Sequence, residues 1–432
     1  MTARPEPVPV SRDPLPWCWL ITGAFLALVL HRLSIPSKEY FDEIHYLPAA
    51  RNLLALSEAR NIEHPMLGKE LIALAIRLCG DTPFGWRIGS ALSGTVALFA
   101  AMRATWWASL SRPATILAGL LLASNFVLFM IARIAMLDPY MLAFALLALW
   151  FCAHGVRNPV AGRRDMVLAG VALGLSLASK WSVLPILALP GLAFAAARFA
   201  ALPGRRARLL TASDAGPVAG VSVLEAGVWL GAVPVAVYLL TFIPLGWFVS
   251  GAVPFGEVIG LQSRMVALQQ SVVKPHPYMS HWWQWVADWR PIWFLYENVD
   301  GAQRGVLMVG NPFTMIAGLP ALLACAAWGW LRRDGAMLAA FVLYAVSLGI
   351  WIVAPKPVQF YYHYLLPATF LSIALALVLA AMWDRGGRWR WPAAASLLAA
   401  LGLFAWFYPI LSSAQLPGPP AFETYTWLTS WR

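Results

Sequence analysis

The chain has 432 residues, of which 60% are hydrophobic and only 12% charged, with a formal net charge of +11. Soluble domains are about half apolar and about one quarter charged, so this composition excludes a water-borne globular protein and points to a bilayer. The basic residues come in small groups between apolar runs, not in one long Lys/Arg block; that fits positive-inside topology and argues against a nucleic-acid partner.

The first apolar run, about Leu15 to Leu33, has no small-residue cleavage site and reads as a membrane span, not a removable signal peptide. A helix needs about 20 apolar residues to cross the hydrocarbon. Ten further runs come near that length: 84–107, 114–131, 136–154, 165–179, 182–200, 221–248, 308–331, 335–354, 361–383 and 391–410. With the N-terminus inside, every inner connection is basic. They hold Arg103 and Arg112; Arg157, Arg163 and Arg164; Arg205, Arg206 and Arg208; Arg332 and Arg333; and Arg385, Arg388 and Arg390. Removing one span would put several of these groups outside, against the Lys/Arg rule. The tail 411–432 then lies outside. The 23 Trp residues suit the headgroup level, where indole rings concentrate.

Two outer connections are long, 34–83 and 250–307, and 13 of the 20 acidic residues fall on the outer side of this topology. Long connections between spans are usually functional. Ile44–Leu56 and Leu67–Leu78 are amphipathic and are expected to lie along the membrane surface. No internal repeat or appended soluble domain is visible, so 1–432 reads as a single transmembrane domain. The four cysteines, Cys18, Cys79, Cys152 and Cys325, form no C-x-x-C pair, and neither a disulfide framework nor a zinc ribbon is expected.

The titratable chemistry follows the outer connections. E-Y-F-D-E-I-H-Y (Glu39–Tyr46) puts Asp42 and Glu43 just past the first span. Adjacent helical residues point about 100° apart, so one acid could take a proton while the other positions a substrate; a solvated acid pair is the plainer alternative. In E-H-P-M-L-G-K (Glu63–Lys69), Pro65 suits a helix start. His64, Lys69 and, in F-G-W-R-I-G-S-A-L-S-G (Phe84–Gly94), Arg87 would lie near the interface. There a cation meets a lipid phosphate or simply snorkels. In R-I-A-M-L-D-P-Y (Arg133–Tyr140), Arg133 could bind phosphate, and Asp138 before Pro139 could start a helix. Lys180, in S-K-W (Ser179–Trp181) between two paired spans, is costly unless paired and so is a functional candidate.

The second long connection carries K-P-H-P-Y-M-S-H-W-W-Q-W (Lys274–Trp285), W-R-P-I-W (Trp289–Trp293) and then V-G-N-P-F (Val309–Phe313). Aromatic surfaces interleaved with His276, Tyr278, His281 and Arg290 suit a sugar phosphate; an interfacial aromatic belt is the alternative. His276 and His281 have no acidic or cysteine partner at ligand spacing, so no metal is expected. Q-F-Y-Y-H-Y-L-L-P (Gln359–Pro367) places His363 and Tyr364 at the outer mouth of a late span.

Nine segments, in this order, resemble the protein O-mannosyltransferase family of the GT-C class. They are F-D-E (Phe41–Glu43), H-P-x-L-x-K (His64–Lys69), G-W-R with S-A-L-x-G (Gly85–Gly94), L-D-P (Leu137–Pro139) and S-K-W. H-P-Y-x-S-x-W (His276–Trp282), R-P (Arg290–Pro291), G-N-P (Gly310–Pro312) and the Y-H-Y-L-P-like Tyr362–Pro367 complete the set. The resemblance implies an all-α integral membrane bundle with about 11 transmembrane helices and amphipathic helices in the first outer connection. It implies inverting transfer of mannose from a polyprenyl-phosphate carrier to Ser or Thr hydroxyls of translocated proteins, with the lipid-linked sugar as co-substrate and no cofactor. Asp42 then matches the catalytic base and Glu43 its neighbour in the acceptor site. Arg87, Arg133, Lys180 and Arg290 become candidates to stabilise the departing phosphate. Two departures stand out: Met66 replaces the second Pro of the usual H-P-P-L, and the extra luminal domain of eukaryotic members is missing, which suggests a bacterial inner-membrane enzyme with a periplasmic site and an acceptor polypeptide met at the translocon. A sibling GT-C enzyme moving aminoarabinose onto lipid A shares part of the pattern. A secondary transporter fits less well, because its polar residues would gather at the bilayer midplane.

Overall fold

The computed structural model describes residues 13–202, 208–271, 273–354 and 356–432. Arg205 and Arg206, expected in an inner connection, lie outside them. The helices begin with α1 (Leu15–Leu30), α2 (Glu43–Ala55), α3 (Leu67–Cys79), α4 (Pro83–Ser109), α5 (Arg112–Ala123) and α6 (Phe126–Ile131). Next are α7 (Asp138–Arg157), α8 (Gly162–Ser179), α9 (Leu184–Leu187), α10 (Leu189–Ala201), α11 (Val223–Gly227) and α12 (Val233–Leu240). Last come α13 (Val258–Ser271), α14 (Trp282–Val286), α15 (Pro312–Leu331), α16 (Gly335–Val353), α17 (Leu365–Arg385) and α18 (Arg390–Leu411).

Among the described residues, eight helical segments are long and apolar enough to cross a membrane. The other three expected spans coincide with α1, α5–α6 and α8, which are short, broken or charged at one end. The run expected at 114–131 is two helices because Asn125 caps the second, accepting from the Leu128 N–H, while its amide donates to the Ala368 carbonyl and to Ser372. The run expected at 308–331 starts at Pro312, because the preceding residues are extended. Strands β1 (Ile292–Val299) and β2 (Ala302–Met308) form an antiparallel hairpin, so the second long connection is not helical throughout. The two amphipathic stretches of the first connection are α2 and α3.

Both long connections, the short turns after α6 and α8, and the tail meet at one end of the bundle. The Arg133 guanidinium donates to the carbonyls of Val29 in the last turn of α1, of His31 and Arg32 past its end, and of Ser412 past α18. Those carbonyls have no intrahelical partner, and a cation there also answers the helix dipole. Asn311 caps α15 and donates to the carbonyls of Ser124 and Ala400, so G-N-P fastens three helices. The Arg304 guanidinium holds the Ser413 carbonyl and ties the hairpin to the tail. The opposite end carries Arg103 paired with Asp13 and Arg163 paired with Glu225.

Close backbone approach sets the α8 crossing. A Cβ on Gly170 would stand 1.8 Å from the Trp229 carbonyl oxygen, and one on Gly174 would stand 2.7 Å from that of Pro234. The facing helix relaxes through one π turn at Val228–Ala232. Small residues let membrane helices pack this closely. Gly170→Leu should therefore lower the melting temperature in detergent by several degrees and reduce yield, whereas Gly231→Leu, with open space at that position, should leave both unchanged.

Candidate active site

The two adjacent acids do different things. Glu43 is wholly buried and meets Arg87 in a two-pronged bond, Nε to Oε1 at 2.7 Å and Nη2 to Oε2 at 2.9 Å. Its Oε1 also accepts from the Ala135 N–H at 3.0 Å. The remaining Arg87 N–H groups go to the carbonyls of Leu33, Pro36 and Lys38. All five donors of the guanidinium are spent inside the protein. Arg87 and Glu43, expected to touch phosphate and acceptor, instead pin the connection after α1 onto α4.

Asp42 precedes α2 and is half-buried. Burial is the main influence on its carboxyl and pushes it up to about 6; Lys180 opposes this, Asp138 adds to it, and His45 and Lys356 oppose it more weakly. The charged groups that act on Asp42 come from separate elements of the fold. Asp138, the first residue of α7, accepts from Lys180 Nζ at 2.6 Å, with both side chains nearly buried. Lys180 sits where α8 ends, with Nζ 4.8 Å from the Tyr362 ring centroid. A carboxylate and an aromatic face beside a buried lysine offset part of the cost of taking it out of water.

Lys356 completes the cluster. Its Nζ lies 3.5 Å from His363 Nε2, and among the described residues no carboxylate lies within ion-pair distance of it. Burial, with help from Lys180, lowers its ammonium to about 8. A desolvated cation with unspent donors is a waiting place for an anion. His363 is buried and packed on Trp351 at a centroid distance of 3.9 Å, its Nδ1 engaged by the Phe360 backbone. Burial, then Lys180 and Lys356, pushes His64 well below its usual range, so its ring is neutral at pH 7. The backbone that presents His64 is held from beneath: Lys69 Nζ donates to the carbonyls of Asn61 and His64 at 2.6 and 3.0 Å. Lys69 is thus a buried staple, not a phosphate ligand on the surface.

A cleft of about 400 Å³ opens beside Lys356, bounded by His64, Gln269, Lys274, His276 and Phe360. Of the expected site residues in the second connection, His276 lines it. Tyr278 packs against the core, and His281 starts α14, its N–H donating to the Gln284 side chain. Arg290 donates to the carbonyls of Pro277 and Ser430, joining the second connection to the tail. The Tyr364 hydroxyl lies 2.8 Å from that of Tyr344, between helices. Of the expected residues, then, Asp42, Asp138, Lys180, His64 and His363 converge, and His276 flanks them. Glu43, Arg87, Arg133, Lys69, Arg290 and Tyr364 build the frame; Tyr278 and His281 belong to the second connection.

Lys356 and Tyr362 complete the cluster without having been singled out from the sequence. The signal for Lys356 was there: a lone lysine between two prolines, Pro355 and Pro357, at the mouth of two apolar runs. Among the described residues, no three His, Cys, Asp or Glu side chains gather as metal ligands.

The family model described as dolichyl-phosphate-mannose-protein mannosyltransferase matches residues 80–249, and that for the C-terminal four-transmembrane region of protein-O-mannosyltransferase matches 254–431. A relative from Mycobacterium tuberculosis, named polyprenol-phosphate-mannose–protein mannosyltransferase, is 28% identical over 96% of this chain and 92% of its own. A Pseudomonas fluorescens protein named undecaprenyl phosphate-alpha-4-amino-4-deoxy-L-arabinose arabinosyl transferase 1 is 34% identical, over 38% of this chain and 30% of its own. In fold, the chain matches the yeast protein O-mannosyltransferase Pmt1–Pmt2 complex bound to its sugar donor, with a TM-score of 0.80 at 13% identity over 99% of this chain and 93% of that one.

Arg87→Lys cannot keep the two-pronged bond and strands buried carbonyls. Lysine keeps the charge but leaves buried carbonyls unpaired, at about 1–3 kcal/mol each, so thermal unfolding in detergent should show a clear drop. An unchanged melting temperature with a raised KM for the lipid donor would instead make Arg87 a substrate ligand.

Proposed function

The chain belongs to the dolichyl-phosphate-mannose–protein mannosyltransferase family, and from that premise we propose that it transfers mannose from a polyprenyl-phosphate carrier to Ser or Thr hydroxyls of proteins. The fold is that of the GT-C membrane glycosyltransferases. The observation that carries the reading is the meeting of one half-buried carboxylate, Asp42, with the lysines Lys180 and Lys356 at the end of the bundle where a lipid headgroup would arrive.

In this reading the donor phosphate lies between Lys180, Lys356 and the His363 ring. The acceptor oxygen forms its bond to the anomeric carbon as the bond from that carbon to the phosphate oxygen breaks. The hydroxyl proton passes to Asp42, and polyprenyl phosphate leaves with the bonding electron pair. A carboxylate in reach of the hydroxyl contributes about 10²–10⁴ in rate. Fixed cations in a partly dry site answer the charge growing on the phosphate. Asp138 keeps Lys180 in place, and the neutral His64 ring can accept or donate a hydrogen bond to sugar or acceptor. The cleft beside Lys356 and His276 is our site for the acceptor chain. The lipid-linked sugar is the sole co-substrate in this mechanism.

We assign the end bearing the long connections to the outside of a bacterial inner membrane, because the opposite end is rich in arginine. An acceptor emerging from a translocon would meet that face. Transfer of aminoarabinose draws on a likeness to a much smaller part of the chain than the mannosyltransferase relatives match.

Asp42→Asn should remove transfer from polyprenyl-phosphate mannose to a Ser/Thr peptide without changing the melting temperature; wild-type turnover would refute the base assignment. Lys356→Gln should raise the donor KM about tenfold or more. The wild-type rate should fall as pH drops through about 6, where Asp42 takes up its proton. Lys180 favours the charged carboxylate, so Lys180→Gln should move that limb to higher pH in a kcat–pH profile.

A further inference from the structure

The residue before Asp42 has an unusual backbone. Phe41 has φ 52°, the left-handed region that a bulky side chain rarely enters. Such conformations persist only where the surroundings enforce them, and they gather at functional sites. The enforcing contacts are visible. The Phe41 ring stacks on Phe294 of β1 at a centroid distance of 3.7 Å and an interplanar angle of 12°. Its other neighbour is Tyr362, met edge-on at 5.8 Å, the same ring that lies under Lys180. The hairpin reaches back to this segment twice more, through Lys38–Glu297 at 2.5 Å and through the Ser37 N–H to Asp300 at 2.9 Å. On the other side of Asp42, Glu43 is fixed by Arg87.

Asp42 therefore stands between two anchored neighbours, one held by a guanidinium and one by an aromatic stack from the second long connection. We propose that Phe41 is a positioning residue: its ring, gripped by Phe294 and Tyr362, enforces the left-handed turn that aims the Asp42 carboxylate at the Lys180–Lys356 recess. The β1–β2 hairpin is thereby a working part of the transfer site, although none of its residues belongs to the cluster around Asp42. This inference rests on Asp42 being the base.

The test uses the full-length protein in detergent with polyprenyl-phosphate mannose and a Ser/Thr peptide. Phe41→Gly permits the left-handed backbone but removes the grip. It should lower kcat about 10- to 100-fold while donor KM stays within about threefold. The titratable and charged groups around the Asp42 carboxyl are Lys180, Asp138, His45, Lys356, Tyr46 and Tyr362. A carboxylate freed from burial among them titrates lower, so the acid limb of kcat should move to lower pH. Phe294→Leu, which leaves residue 41 intact, should shift both quantities the same way and serves if Phe41→Gly does not fold. Phe41→Tyr, which keeps the ring, should stay within about threefold of wild type. Wild-type kcat and an unmoved acid limb in both Phe41→Gly and Phe294→Leu would overturn the proposal. A fall in melting temperature with an unmoved limb would also overturn it, leaving Phe41 a packing residue. Asp42→Asn is assayed alongside: if it retains transfer, the base assignment fails; if it is inactive while Phe41→Gly matches wild type, only the present proposal fails.

Discussion

The buried pair between Glu43 and Arg87 is the constraint on which the active end depends. An ionised carboxylate and a guanidinium held out of water are tolerated only when each is satisfied by the other and by further hydrogen bonds. Here the guanidinium spends its other donors on three carbonyls of the segment 33–38, and the carboxylate accepts an N–H from Ala135 in the turn after α6. Three separate parts of the chain are locked into one geometry by that single pair. Asp42 is the next residue, so its freedom is what this lock leaves over. Two adjacent acids thus divide their work by environment: one is paired with a cation in the interior and one is left half-exposed.

The cations at this end divide in the same way. Arg87, Arg133, Arg290 and Arg304 direct their planar forks at backbone carbonyls and, for Arg87, at a carboxylate. A rigid five-donor group suits that task. Lys180 and Lys356 both act on Asp42, one held by Asp138 and an aromatic face, the other lining the cleft without an anionic partner among the described residues. A compact ammonium on a flexible stem follows a phosphate whose charge grows during reaction better than a fixed fork does. Framework cations, these arginines with Lys69, and the two lysines near Asp42 form a division that mean charge cannot reveal.

The aromatic residues of the second long connection do structural work that reaches the recess. Trp285 packs beside His363, Phe294 stacks on Phe41, and the Trp293 indole donates to the Trp431 carbonyl, so hairpin and tail close on one another. Buried Asp288 accepts from the Gly310 N–H and the Tyr361 hydroxyl, and that pins the turn leading to Tyr362 and His363. Rings expected to form an interfacial belt or a sugar platform serve in good part as the mould for the turns that carry charge.

Sequence alone determined the class of solvent, the positions of the apolar runs and the gathering of titratable residues in a few connections, because bilayer thickness and the cost of charge in hydrocarbon act on composition and length. It also placed Asp42, His64, Asp138, Lys180 and His363 among the candidates, since a charged or polar residue at a span end stands out against an apolar background. Without the family resemblance it could not distinguish Asp42 from Glu43, or Lys180 from Arg133, because partner choice depends on which turns meet across tens to hundreds of residues. Nor did it single out Lys356, whose significance comes from having no paired carboxylate among the described residues, or the hairpin, whose strands read as aromatic loop. Those decisions belong to the tertiary structure, where the satisfaction of each buried donor and acceptor fixes which charges are spent on the fold and which remain for a substrate.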